Sequence, residues 1–156
     1  MRNTSRQKNT LLTSTSDLEN KYIIKFINSL MFSGKKTTAE RILSQSFDLI
    51  KKTTQSDPIQ IFEKAIQNVE PIIQMRSIRV AGSNYQVPVE INPSKQMTYA
   101  IKWIIESARK RNEKGMAIKL CKEFIDASKN TGQAVQKKET IHRMAESNRA
   151  YTHYRW

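Results

Sequence analysis

The spacing of apolar residues along the chain changes character twice. In three segments before Pro71 and three after Asn92, apolar residues recur every three or four positions, as in amphipathic helices. Between them, residues 72–91 contain a β-prone run, a turn-forming cluster at 81–84 and a return run with period two. The pattern predicts a mainly α fold, a six-helix bundle with a protruding β-hairpin inserted between the third and fourth helices.

Capping residues set the predicted helix boundaries. Asp57 and Asn92 each precede a proline, which places a capping side chain before Pro at the first helical position. The sequence at 37–40, Thr-Thr-Ala-Glu, has the form of a capping box and predicts the start of the second helix. Pro71 ends the third helix, and the sixth is expected at about 133–150.

The predicted hairpin carries arginine on both of its faces. Arg76 and Arg79 are an odd number of positions apart, so their side chains point to opposite sides of a regular strand. Pro88 cannot donate to a strand ladder, which places the return strand at an edge. A hairpin of this kind has little reason to bury either face, and we expect it to project as an arm.

The chain has a large excess of positive charge. Its 27 Lys and Arg residues against 14 Asp and Glu give a formal net charge of +13 at pH 7, which favours a polyanion as partner. Residues 1–15 contain no acid and many hydroxyl and amide side chains, so they are predicted to form a basic flexible N-terminal tail. Residues 16–156 are predicted to form a single helical domain whose β-hairpin arm covers about 72–91.

No set of residues has the pattern of a catalytic or metal site. Cys121 is the only cysteine, which excludes an internal disulfide and a cysteine-based zinc site, and its helical position predicts a buried apolar role. His142 and His153 have no nucleophile or acid in motif context, and the four glycines are isolated. No apolar run approaches the roughly 18 residues of a membrane span. We expect no enzyme activity, cofactor, metal, small-molecule substrate or membrane association.

Two kinds of nucleic acid remain as the predicted polyanion. Lys95, Lys102 and Arg109 are seven residues apart and form a basic stripe on the fourth helix, which could enter a DNA major groove. Several separated basic segments, an arm and a tail suit an irregular RNA fold better than a uniform duplex, and aromatic groups can stack on unpaired bases. Trp103 is expected in the core and Trp156 at a nucleic-acid or partner contact. The domain is therefore predicted to bind RNA, with a DNA-binding regulatory protein as the alternative.

Four segments in order resemble the bacterial-type small-subunit ribosomal protein seven family. They are FINSLMFSGKK followed by AERI, then RSIRVAGSNYQVPVEINPSK, AIKWIIESARKRNEKGMAIKL and KKETIHRMAESNRAYTHYRW. The resemblance covers about residues 21–156. It implies a structural protein that binds the 3′ major domain of small-subunit ribosomal RNA and nucleates assembly of the subunit head. It further implies neighbouring head proteins as partners, with exit-site transfer RNA and the messenger RNA exit channel close to the hairpin and the C-terminal end.

The charge pattern and the resemblance together predict a set of RNA-binding residues. The set covers the tail, the loop after the first helix, the hairpin, the fourth helix, the segment after it, the last helix and the terminal signature. Its members are Arg2, Arg6, Lys8, Lys35, Lys36, Arg76, Arg79, Tyr85, Lys95, Lys102, Arg109, Lys110, Arg111, Lys114, Lys119, Lys137, Lys138, His142, Arg143, Asn148, Arg149, His153, Tyr154, Arg155 and Trp156.

The sequence also departs from the family pattern. The family usually has two adjacent arginines and a Gly-Gly at the hairpin, where this chain has Ile78-Arg79 and Ala81-Gly82, which implies one phosphate contact fewer and a stiffer turn.

The chain is rich in Ile, Asn and Lys and has no obvious presequence, as expected of synthesis inside an organelle. We therefore expect a mitochondrial ribosome, with a plastid or a bacterial cytoplasmic ribosome as alternatives.

Overall fold

The computed structural model describes residues 17–154, and over this range the predicted order of elements is confirmed. Three helices precede a two-stranded antiparallel hairpin and three follow it, and a short 3₁₀ helix ends the described chain. The elements are α1 (Asp17–Leu30), α2 (Lys36–Thr54), α3 (Pro58–Val69), β1 (Ile73–Val80), β2 (Ser83–Glu90), α4 (Pro93–Lys110), α5 (Met116–Ser128), α6 (Gln133–Ser147) and the 3₁₀ helix (Arg149–Tyr154). The predicted tail at 1–15, Arg155 and Trp156 lie outside the described residues.

The helices that follow an Asx-Pro pair begin at their predicted caps. The Asp57 carboxylate accepts a hydrogen bond from the Ile59 backbone N–H at 3.0 Å. The Asn92 side chain accepts one from the Ser94 N–H at 3.1 Å. Both caps satisfy a donor that the first helical turn leaves without a partner.

The predicted capping box at 37–40 is wrong. Helix α2 begins at Lys36, and its N-cap Lys35 makes no side-chain capping bond. The Lys35 carbonyl already accepts the Ala39 N–H at 3.3 Å, so the helical ladder starts before Thr37. The hydroxyl of Thr37 therefore lies inside the first turn, where it cannot act as an N-cap.

Aromatic contacts at the centre of the bundle join four helices. Phe26, Phe47, Phe62 and Phe124 come from α1, α2, α3 and α5, and their ring centroids lie 5.4–6.5 Å apart in five pairs. Helix α4 adds its apolar face to this core, and Trp103 is buried there, as predicted. Each edge-to-face or tilted pair contributes roughly 0.5–1.5 kcal/mol beyond area burial. The core fixes α4 as a rigid support for the cations on its outer side.

The hairpin is anchored at its base more firmly than the sequence predicts. Strand β1 contacts α6, strand β2 contacts the 3₁₀ helix, and Val87 is completely buried. The expectation that neither face would be buried is wrong there, because the C-terminal end of the chain folds back onto β2. Arg79 and the turn at 81–84 remain exposed. The hairpin therefore projects at its tip and not at its base.

The last α-helix is shorter than predicted. It ends at Ser147 instead of about residue 150, with Asn148 as its C-cap. The Tyr151 N–H bonds the Asn148 carbonyl at 3.0 Å, an i to i+3 hydrogen bond that tightens the chain into the 3₁₀ helix. Across the described range, no helix combines the length and the hydropathy needed to span a membrane.

Candidate nucleic-acid interface

Four cations gather where the α1–α2 loop meets the end of α4. We call Lys35, Lys36, Arg109 and Lys119 the loop-end cluster. Arg109 donates from Nη2 to the Leu30 carbonyl at 3.5 Å, and Lys119 donates from Nζ to the Arg109 carbonyl at 3.2 Å. Lys35 and Arg109 line one depression. The fold thus brings together cations from three separate segments of the chain.

A row of exposed cations extends along α4 from this cluster toward the hairpin. Lys95, Lys102 and Arg109 form the α4 stripe, and all three are exposed. Seven residues fall only about 20° short of two full helical turns, so these side chains share one side of the helix. At about 1.5 Å per residue the stripe is roughly 21 Å long. It joins the loop-end cluster to the base of the hairpin.

The hairpin and the 3₁₀ helix carry two exposed arginines and a group of three tyrosines. We call Arg76, Arg79, Tyr85, Tyr151 and Tyr154 the hairpin-end cluster. The Tyr85 ring lies 5.3 Å from that of Tyr151 and 5.1 Å from that of Tyr154, between centroids. Arg76 and Arg79 are exposed on β1. The tyrosines join β2 to the 3₁₀ helix and place the two elements in one unit.

Tyr151 is a member of this cluster that sequence reasoning missed. Three residues complete a turn of a 3₁₀ helix, so Tyr151 and Tyr154 lie on the same side, with an angle of 15° between their planes. The signal was the three-residue spacing. The periodicity of the sequence placed Tyr151 beyond the end of the last helix, at about residue 150, and gave it no partner.

Arg111 is directed inward and not toward the predicted interface. Its Nε donates to Glu123 Oε2 at 2.6 Å, a second nitrogen bonds Asp126, and its side chain is only 14% exposed. Burial lowers its pKa, but hydrogen bonds to Asp126 and Glu123 outweigh that effect and the pKa is raised. Because carboxylates of the protein already occupy its donors, the RNA contact of Arg111 stays a prediction.

Two lysines of α6 also have partners inside the protein. Lys137 bonds Glu106 at 2.6 Å and lies 5.6 Å from the centre of the Trp103 ring. Lys138 donates to the Asn68 carbonyl at 2.7 Å and so connects α6 to α3. Hydrogen bonds from Lys137 and then from Lys110 lower the pKa of Glu106. Both lysines therefore have partners within the protein in the absence of nucleic acid.

His142 lines a cavity that is open to solvent on one side. The cavity has a volume of about 340 Å³ and lies between α6 and the base of the hairpin, with Ile73, Pro88 and Glu90 in its wall. Within the described range, Nε2 of His142 is buried and has no hydrogen-bond partner. Burial lowers the pKa of His142, and the charge of Lys138 lowers it further. The RNA contact predicted for His142 stays a prediction.

This pKa gives a pH-dependent contribution to stability. The unfolded chain takes up a proton at His142 before the folded protein does, so stability should be lost as the pH falls below about 6.5. The free energy of unfolding of the wild type, relative to that of His142→Asn, should fall by up to about 1.4 kcal/mol for each pH unit below that value. Urea unfolding near pH 7.5 and near pH 5.5 measures it, with His153→Asn as the matched control. If the difference in unfolding free energy between the wild type and His142→Asn were the same at both pH values, the lowered pKa of His142 would be contradicted.

The remaining predicted residues divide by exposure. Cys121 is buried, as predicted, and burial raises the pKa of its thiol. In the range 17–154, no group of His, Cys, Asp and Glu side chains is arranged to hold a metal ion.

Exposed members of the predicted set are Lys35, Lys36, Arg76, Arg79, Lys95, Lys102, Arg109, Lys110, Lys114, Arg143, Arg149 and His153. Half-buried members are Tyr85, Arg111, Lys119, Lys137, Lys138, His142, Asn148 and Tyr154. Arg2, Arg6, Lys8, Arg155 and Trp156 lie outside the described residues.

Comparison with known proteins gives consistent matches over nearly the whole chain. Residues 1–149 match the family model described as ribosomal protein S7p/S5e. The small ribosomal subunit protein uS7m of Reclinomonas americana is 55% identical over 150 residues, covering 96% of this chain and 94% of that protein. The small ribosomal subunit proteins uS7 of Maridesulfovibrio salexigens and Alkaliphilus metalliredigens are 52% and 47% identical, covering 85% and 86% of both chains.

Proposed function

The chain belongs to the ribosomal protein S7p/S5e family and is a structural protein of the small ribosomal subunit, and from this premise we propose that it binds the 3′ major domain of the subunit's ribosomal RNA. The observation that carries the proposal is the continuity of the exposed cations. The α4 stripe leads from the loop-end cluster to the hairpin base. A folded RNA presents phosphates over such a distance, and their neutralisation would supply most of the affinity.

In the assembled subunit, the protein nucleates the head and contacts neighbouring head proteins. The hairpin-end cluster lies toward the exit-site transfer RNA and the messenger RNA exit channel. Two features support this part of the proposal. The tip of the hairpin is exposed and cationic, and the tyrosine contacts hold the 3₁₀ helix against β2. A tip held in this way presents Arg79 without a large loss of conformational freedom on binding.

We propose that the protein belongs to a mitochondrial ribosome. The uS7m protein of Reclinomonas americana, which is 55% identical to this chain, supports the proposal. Cell fractionation followed by sedimentation tests it. We expect the protein to travel with small subunits released from purified mitochondria. Recovery from subunits of another compartment would contradict the assignment.

Competition between RNA and DNA tests the binding function directly. A transcript of the 3′ major domain is bound by the full-length protein, and unrelated duplex DNA is added in increasing excess. We expect the duplex to displace little of the transcript, because the exposed cations are spread over a loop, a helix and the hairpin, which suits an irregular RNA fold better than a uniform duplex. Complete displacement by a modest excess of duplex would favour the alternative function, a DNA-binding regulator.

Arg79→Glu tests the contribution of the hairpin tip. Arg79 is exposed, so the substitution should leave the melting temperature nearly unchanged. It removes one phosphate contact and adds a repelled charge, and the affinity for the transcript should fall about 5- to 20-fold at low salt. Arg41→Glu is the matched control, because it reverses an exposed arginine on α2 outside the predicted set. If Arg79→Glu instead unfolded most of the protein, and the molecules that stayed folded bound the transcript normally, the projecting tip would be contradicted.

A further inference from the structure

One phenylalanine of this protein lies in water while the other four are buried. Phe26, Phe47, Phe62 and Phe124 pack on one another in the core. Phe32, in the loop between α1 and α2, is 76% exposed and is the most exposed large apolar side chain in the described range. The ring buries little apolar surface in the folded protein, so both of its faces are available to another molecule.

The backbone of the loop holds the ring outward in a fixed turn. The Lys35 N–H donates to the Phe32 carbonyl at 3.1 Å, and the Lys36 N–H donates to the Gly34 carbonyl at 2.8 Å. Ser33 and Gly34 have φ values of 52° and 74°, in the left-handed region. Both ends of this turn are fixed by helices of the core. Little backbone conformational entropy would therefore be lost when the ring makes a contact.

The surroundings of Phe32 combine an apolar floor with a cationic rim. Phe32, Lys35 and Arg109 line a depression of about 150 Å³ whose floor includes Met31 and Met116. Arg109 donates to a backbone carbonyl across this depression, which limits the movement of its guanidinium. A volume this small lies well below that of a typical small-molecule pocket. It suits a single planar group that carries negative charge beside it.

We propose that Phe32 stacks on one unpaired base of the ribosomal RNA while Lys35 and Arg109 neutralise the phosphates next to that base. The inference deepens the proposed function and rests on it. Aromatic rings stack on every base, because every base has a π-face, and unpaired nucleotides of folded RNA present such faces. Charge complementarity favours RNA over a protein partner, since an apolar protein contact would gain nothing from the cationic rim.

Three substitutions at this position separate stacking from simple apolar contact. Phe32→Ala and Phe32→Leu should both weaken binding to the 3′ major domain transcript by about 5- to 100-fold, the range measured for loss of one stacked base. Phe32→Trp should bind at least as tightly as the wild type. The slope of affinity against salt should stay unchanged in all three, because no ion pair is lost. Ile72→Ala, which removes another exposed apolar side chain, is the matched control and should bind normally.

Several outcomes would overturn the inference. Normal binding by Phe32→Leu would show that the contact needs only apolar surface, and normal binding by Phe32→Ala would show that there is no contact. A photoreactive phenylalanine analogue at position 32 should crosslink to RNA in assembled subunits, and crosslinking to a protein instead would contradict stacking. If the wild type binds the transcript with steep salt dependence, such results refute only the role of Phe32. If the wild type itself fails to bind, the proposed function fails.

Discussion

Glu123→Ala should lower the free energy of unfolding by about 3–5 kcal/mol, the usual cost of removing one partner from a buried ion pair. The Glu123 side chain is completely buried, and its Oε2 accepts from Arg111 Nε at 2.6 Å. Its Oε1 accepts the backbone N–H of Ala134 at 3.1 Å, in the first turn of α6. One carboxylate thus joins the end of α4, the middle of α5 and the start of α6. Its loss leaves the Ala134 donor without a partner and Arg111 with Asp126 and Glu113 only.

Urea unfolding measures the change, with Glu139→Ala as the matched control. Glu139 is an exposed glutamate on α6, where the same substitution should change stability by less than about 0.5 kcal/mol. Glu123→Gln should fall between the wild type and Glu123→Ala, because the amide keeps an acceptor oxygen and the volume but loses the charge. An exposed ion pair contributes about 1 kcal/mol or less to stability. If Glu123→Ala lowered the free energy of unfolding by no more than this, a central role for this carboxylate would be contradicted.

The triple substitution of Lys95, Lys102 and Arg109 by glutamine should produce the largest loss of RNA affinity. The three side chains are exposed, so the fold should be retained. Each neutralised phosphate adds about one unit to the slope of log affinity against log salt, so the slope should become shallower by about 2–3. At about 0.1 M salt, the affinity for the 3′ major domain transcript should fall roughly 10- to 100-fold.

A second triple variant separates position from net charge. Substituting glutamine for Lys51, Lys52 and Lys64 removes the same three charges from exposed sites on α2 and α3, outside the predicted set. Its binding should stay within a few-fold of the wild type, because distant exposed charges are largely screened beyond the Debye length of about 10 Å at 0.1 M. Equal losses in the two variants would show that the affinity follows overall charge and not the α4 stripe.

Local sequence patterns were sufficient to predict the elements but not every boundary. The caps at Asp57 and Asn92 were predictable because a short polar side chain followed by proline strongly restricts the backbone. The predicted capping box at 37–40 was wrong because the turn before it, with Ser33 in the left-handed region, starts α2 earlier. The 3₁₀ helix was missed since its contacts with β2 come from a distant part of the chain.

The charge of the candidate interface was predictable from the sequence, but the contacts that its cations make within the protein were not. Composition shows how many cations the chain has, whereas the contacts between distant residues decide which of them remain available. Arg111 meets Glu123 across 12 positions, and Lys138 meets Asn68 across 70. The periodicity of apolar and polar residues along the chain cannot predict such pairings, because they depend on how the helices are arranged in space. Tyr151 and Phe32 were missed for the same reason, since their importance lies in exposure and in their neighbours.

The central claim is that the exposed cations bind the phosphates of folded ribosomal RNA. The most direct measurement is the affinity of the full-length protein for the 3′ major domain transcript over a series of salt concentrations. We predict a straight line of log affinity against log salt with a slope of about −4 or steeper, as expected for about six or more neutralised phosphates. A nearly flat line would contradict the claim.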